Sequence, residues 1–148
     1  MRENDINYLI RHIGTSIKAI GDASLIKRGL TFSQMQLLFR LDHNGGKMSQ
    51  KQLKESLDVS HPTIVGLVQR LEKKGYVKSV IDENDKRNRI IIESPKAKQF
   101  KKEMFEQFDQ ITEKMFSNLN DKEKEELYRM LSIVNDSLNE IKEVKQNV

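Results

Sequence analysis

The stretch SQKQLKESLDVSHPTIVGLVQRLEKKG, residues 49–75, decides the fold. It opens on Ser49-Gln50-Lys51-Gln52, a capping box in which the Ser hydroxyl accepts from the backbone N–H of Gln52 while the Gln52 side chain reaches back. A short helix follows through Leu57, with Leu53 and Leu57 on one face. Asp58-Val59-Ser60 then turns the chain, and Ser60 caps a second periodic run with apolar residues at Ile64, Leu67, Val68 and Leu71. Pro62 sits in the first turn of this helix, where its missing N–H costs nothing, and Gly75 supplies the stop. The apolar set takes the buried face and leaves His61, Thr63, Gly66, Gln69 and Arg70 pointing outward.

Immediately downstream the pattern changes to strand type. Tyr76-Val77-Lys78-Ser79-Val80-Ile81 and Arg89-Ile90-Ile91-Ile92 flank the polar stretch Asp82 to Asn88, which reads as a hairpin with a long charged tip. Two helices joined by a three-residue turn and followed by a basic hairpin is the order of a winged helix-turn-helix, whose second helix enters the DNA major groove. The outward groups suit that role. Thr and Gln hydrogen-bond to base edges, Arg reaches guanine or phosphate, and Ser49, Gln50, Ser60 and His61 sit at the helix starts beside them. Gly66 lets the backbone approach a duplex, or alternatively allows a close contact with another helix, at about 1 kcal/mol of lost helix propensity. Arg70 also reads two ways, as a DNA contact or as a brace paired with Glu72, Asp82 or Asp85. The cations Lys86, Arg87 and Arg89 are a solvated turn in isolation, but beside a reading helix they gain DNA affinity from counterion release.

Outward from this core the chain is helical. Ile6, Leu9, Ile10, Ile13, Ile17 and Ile20 recur at spacings of three and four, predicting a long amphipathic helix that ends at or beyond Gly21 and before Gly29. Thr31-Phe32-Ser33-Gln34 is a second capping box, opening a helix marked by Met35, Leu38 and Leu41 and stopped by Asn44-Gly45-Gly46. On the other side Ser94-Pro95 starts a long helix with Phe100, Met104, Phe108, Ile111 and Met115 as its stripe. Asn120-Asp121-Lys122-Glu123 caps the last helix, striped by Leu127, Leu131, Val134, Leu138 and Ile141. The terminal stripes flank the DNA-binding lobe and would leave apolar surface exposed on a monomer, so a homodimer is expected, with folding back within one chain as the competing arrangement.

At this point the sequence resembles the multiple-antibiotic-resistance regulator (MarR) family of bacterial transcription factors over nearly its whole length. The resemblance is carried by Leu30-Thr31 with Gln34, Leu53, Val59-Ser60, Thr63-Ile64, Leu67-Val68, Arg70-Leu71-Glu72-Lys73-Lys74-Gly75-Tyr76-Val77, and Asp82 followed by Asp85-Lys86-Arg87. It implies that Arg87 inserts into a minor groove, that Asp85 helps to shape the wing, and that the helix from Ser60 to Lys74 reads the major groove. It also implies that the first and last two helices interlock two subunits on a near-palindromic operator with half-sites roughly one helical turn apart. Two departures stand out. The family often has Thr-Arg where this chain has Val65-Gly66, which shifts base recognition toward His61, Thr63, Gln69 and the wing. Its usual Leu-Thr-x-x-Gly after the wing is here Glu93-Ser94-Pro95-Lys96-Ala97, which still caps a helix.

The reading is therefore a mainly α protein with a small β-hairpin wing: one MarR-like domain over residues 1–148, with a winged helix-turn-helix lobe at 30–94 and dimerisation helices at 1–29 and 95–148. Its expected partners are double-stranded DNA and a second copy of the chain, and the expected role is a repressor. Family members commonly respond to small, often phenolic, ligands bound between the dimer helices and the DNA-binding lobe; such an effector site would fall here on His12, Ser16, Met35 and Phe39, whose plain reading is core or surface. No cofactor is implied.

Composition fits this reading. The 148 residues are 32% charged and 36% hydrophobic, enough for one core. Net charge is +4, but residues 1–48 and 49–92 each carry +3 and residues 93–148 carry −2. No apolar run approaches the roughly 18 residues of a membrane span, and Met1-Arg2-Glu3-Asn4-Asp5 lacks a signal-peptide core, so a cytoplasmic location is expected. Zero cysteines exclude disulfides, thiolate nucleophiles and cysteine-ligated zinc. His12, His43 and His61 lie far apart in sequence and form no metal or catalytic motif, which argues against an enzyme. The remaining rival is a helical dimeric adaptor that keeps the winged helix as a scaffold for protein contacts. A steep fall of DNA affinity with salt separates the two.

Overall fold

A computed structural model describes residues 3–146, with side chains for residues 3–141. Met1 and Arg2 of the opening stretch, and residues 147 and 148 at the end of the last predicted helix segment, lie outside the described residues. The elements run α1 (Glu3–Lys27), α2 (Phe32–His43), β1 (Lys47–Ser49), α3 (Gln50–Ser56), α4 (His61–Lys73), β2 (Val77–Ile81), β3 (Arg89–Glu93), α5 (Pro95–Met115) and α6 (Asp121–Gln146). The chain divides into two compact units, Met1–Lys102 and Glu103–Val148.

Local chemistry sets the helix starts. Thr31 and Ser49 both form complete capping boxes, with Gln34 and Gln52 closing them. Ser94 Oγ accepts from the Ala97 N–H at 3.2 Å, and Asn120 and Glu123 cap each other reciprocally at 3.0 and 2.8 Å. The first helix passes Gly21 and ends before Gly29, within the bounds that its spacing predicts. It runs on to Lys27 and enters the core only there, through Ser24 and Leu25.

The wing is more than a hairpin. Lys47–Ser49 adds a third strand, so the antiparallel sheet has the order β1-β3-β2, with Met48 opposite Ile91 and Val80 opposite Ile90. Sheet and helices close on one core in which Leu37, Leu38, Leu41, Leu53, Ile64, Leu71 and Ile91 are fully buried. Each such side chain contributes about 2 kcal/mol by leaving water. Tyr76 meets Phe100 edge to face, with ring centroids 5.8 Å apart, joining the start of α5 to the wing root.

One charged cluster lies inside this unit. Lys101 on α5 is buried and its ammonium reaches both Asp42 at the end of α2 and Glu93 at the end of β3. The Glu93 carboxylate packs against Gly46, whose φ is +81° and where an added Cβ would fall 2.6 Å from Oε1. Glycine is required there both by the backbone and by the seat it leaves for the carboxylate.

Elsewhere the apolar stripes remain open. Ile6, Leu9, Ile10, Ile13, Ile17 and Ile20 on α1 are 37–54% exposed, and Leu131, Val134, Leu138 and Ile141 on α6 are 42–54% exposed. On the polar side of α6 an exposed pair forms: the Arg129 side chain donates to Glu126 and holds its carboxyl below the ordinary carboxylate range. No helix among the described residues is long and apolar enough to cross a membrane.

Candidate nucleic-acid interface

The face built by α3, α4 and the wing encloses a concavity of about 610 Å³. Ile64, Leu67, Val68 and Leu71 anchor α4 from beneath, which fixes the outward residues without using them for packing. Among the sequence candidates the concavity gathers Gln50, His61, Gln69, Asp85, Arg87 and Arg89. It does not include Thr63, Gly66 or Arg70, which are displayed elsewhere on α4, nor Lys86 at the wing tip. Ser49 and Ser60 serve first as helix caps, and the Ser60 and Thr63 hydroxyls hydrogen-bond each other at 2.8 Å.

Two acids of the wing, Asp82 and Asp85, face its own backbone. Asp82 Oδ1 accepts from the Asn84 N–H at 2.9 Å, and Asp85 Oδ1 accepts from the Arg87 N–H at 3.1 Å. These turns hold the tip in shape and leave Lys86 and Arg87 exposed, with no ion pair among the described residues. Arg89 is more constrained, because its guanidinium donates to Ser79 Oγ at 3.2 Å. Glu72 Oε1 in turn accepts from the Ser79 N–H at 3.0 Å, tying α4 to β2. Glu72 therefore braces the wing through backbone, and Arg70 forms no ion pair with Glu72, Asp82 or Asp85.

Five polar lining residues lie outside the sequence's candidate set: Lys51, Lys54, Glu72, Ser79 and Asn88. The two lysines sit on α3 away from buried Leu53, so helical spacing carried the signal. Together with Arg87 and Arg89 they make the concavity predominantly cationic, against Asp85 and Glu72.

The effector candidates are dispersed. His12 stacks on Tyr8 at 5.9 Å and lies in a shallow groove along α1 with Asn4, Asn7, Arg11 and Thr15. Ser16 is exposed outside that groove, while Met35 and Phe39 are half-buried on α2. No group of three His, Asp or Glu among the described residues is placed to hold a metal ion.

Comparison with known proteins gives this geometry its context. The MarR family model matches residues 28–88, which span α2 through the wing tip. The HTH-type transcriptional regulator YwoH of Bacillus subtilis (strain 168) is 30% identical over 129 residues, covering 83% of this chain and 93% of that protein. A second regulator from the same strain, YfiV, is 29% identical over 141 residues, covering 95% and 87%. Among solved structures, a putative MarR family transcriptional regulator from Clostridium acetobutylicum aligns with a TM-score of 0.78 and 29% identity over 91% of this chain and 99% of that one. The S. aureus MepR–DNA complex aligns with a TM-score of 0.79 and 25% identity over 89% and 98%. The chain belongs to the MarR family of winged-helix transcriptional regulators, a family of regulators and not of enzymes.

Proposed function

We propose that this protein is a homodimeric repressor that binds a near-palindromic operator through α4 and the wing. The observation that carries the reading is the cationic concavity between α3, α4 and the wing, where the acids are turned onto backbone, Lys51 and Arg87 are exposed and Lys54 is half-buried in the lining. Cations placed in this way release counterions from DNA and give affinity that falls steeply with salt. The DNA complex of MepR, which shares the fold, supports the same reading. The open stripes of α1 and α6 support pairing with a second copy, which would set two reading helices on two half-sites.

The test is a fluorescence-anisotropy titration of the purified protein against the DNA upstream of its own gene and a shuffled control, at two salt concentrations. Tighter, salt-sensitive binding to the native fragment is expected. Arg87→Ala should weaken binding to most sequences and flatten the salt slope, whereas Gln69→Ala should relax preference at one operator position by about 1–3 kcal/mol. Absence of binding to any DNA at low salt would sink the reading and favour the adaptor. A small, phenolic-type effector would release DNA only by favouring the form with mismatched half-site spacing. His12, Ser16, Met35 and Phe39 are the positions to vary once a compound is found to lower the anisotropy.

A further inference from the structure

Gly66 lies in the middle of α4, where glycine costs helix propensity, and among the described residues no atom of another element lies closer to the place of its missing Cβ than the side chain of Arg70 on the same helix. A close helix contact is therefore not its purpose. The atoms nearest to the place of its missing Cβ belong to Arg70: Nη2 at 3.4 Å, Nη1 at 3.5 Å and Cζ at 3.7 Å. Helical side chains lean toward the N-terminus, so residue 70 carries its donor fork one full turn back to the level of residue 66. That fork has no hydrogen-bond or ion-pair partner among the described residues, and the three acids able to claim it, Glu72, Asp82 and Asp85, are engaged with backbone N–H groups.

We infer that Gly66 and Arg70 form one specificity element, in which the vacancy at Gly66 seats the terminal amino groups of Arg70 so that they read a guanine. The inference rests on the DNA-binding reading above and deepens it. A guanidinium fork matches the O6 and N7 acceptors of guanine in the major groove, a match that an ammonium cannot reproduce bidentately. The same fork laid against the helix surface is also partly preorganised, because the adjacent turn limits where it swings. Thr63 lies on the same side of α4, three residues before Gly66, while His61 and Gln69 line the concavity toward the wing. The reading helix thus presents two sides, and Arg70 supplies the charged group on the side away from the wing.

The experiment is selection of binding sites from a randomised duplex library by the full-length protein and four variants, each checked by thermal melting. The unaltered protein should enrich a G·C pair at one position of each half-site. Arg70→Ala, Arg70→Lys and Gly66→Met should lose that position together, with discrimination falling about 10- to 100-fold. Gly66→Met matters most, since it leaves Arg70 in place and only fills its seat. Gly66→Ala should keep the preference, because its methyl would meet the guanidinium at ordinary contact distance, and should raise the melting temperature.

Two outcomes overturn the inference while leaving DNA binding intact. If the Arg70 variants preserve every position and only weaken binding uniformly, Arg70 contacts phosphate. If Gly66→Ala loses the preference as fully as Gly66→Met, the glycine serves backbone approach instead. Failure of the unaltered protein to enrich any sequence would overturn the DNA-binding reading, and this inference with it.

Discussion

The winged-helix lobe and the terminal helices are written in the same amphipathic code, yet they end differently. In the lobe, apolar residues spaced by three and four close completely: Leu37, Leu38 and Leu41 on α2 and Ile64 and Leu71 on α4 are inaccessible to water. On α1 the same spacing from Ile6 to Ile20 stays open, and α6 contributes no buried residue among those described. Periodicity reports that a helix needs a partner, and says nothing of whether the partner lies within the chain. The lobe carries its own partners, whereas the terminal stripes leave more apolar surface than a solitary chain commonly shows. Changes in the lobe should therefore move unfolding, and changes on the stripes should move assembly.

The largest expected effect is in the lobe, at Lys101. Its ammonium is buried against Glu93, whose own side chain is only 6% exposed. Lys101→Met would strand that carboxylate, at a cost of about 3–5 kcal/mol in urea unfolding. Adding Glu93→Gln should recover much of the loss, since no uncompensated charge then remains; a double variant as unstable as the single one would mean that packing, not charge, dominates. Next comes Leu71→Ala, expected to cost about 3 kcal/mol through lost burial and a residual cavity. Sedimentation of the surviving folded fraction should be unchanged.

The third effect tests the other side of the comparison. Ile13→Asp combined with Leu138→Asp places charge on both open stripes, and on the dimer reading sedimentation velocity should show a monomer. Affinity for a two-half-site operator should drop by about 100-fold or more, because simultaneous engagement is lost. Far-UV circular dichroism should hardly change. An unaltered sedimentation coefficient would show that these faces do not pair.

The same contrast explains what was legible in the sequence. Caps and periodicity located every helix, because Thr31, Ser49, Ser60, Ser94 and Asn120 act through neighbours three residues away. β1 was invisible because three residues carry no alternation, and its pairing with β3 joins Ser49 to Ile90 across forty residues of sequence. Buried Lys101 was missed since lysine ordinarily marks solvent, although its place four residues after Ala97 and next to Phe100 put it on the apolar face. In the candidate site the residue types were readable, but their division was not. Gln69 faces the wing and Arg70 does not, and that depends on where the hairpin sits over α4.

The smallest effect is expected at the turn joining α3 to α4, where Asp58 has φ of +50°, the left-handed region. Aspartate tolerates this conformation better than most residues but still pays for its Cβ. Asp58→Gly removes that strain and in exchange loosens the unfolded chain, so the two terms nearly offset and a net gain of about 0.5 kcal/mol is expected. Asp58→Ala keeps a Cβ in the left-handed region, which alanine tolerates less well than aspartate, and should cost about 1 kcal/mol. Both variants should leave the sedimentation coefficient at the wild-type value, because the turn belongs to the self-sufficient lobe. If Asp58→Gly instead shifted the monomer–dimer balance while unfolding stayed constant, the separation between a lobe that folds alone and helices that await a second chain would be wrong. The turn sets the angle of the reading helix, so operator affinity measured beside stability gives a further check: strain relief alone should leave it unchanged.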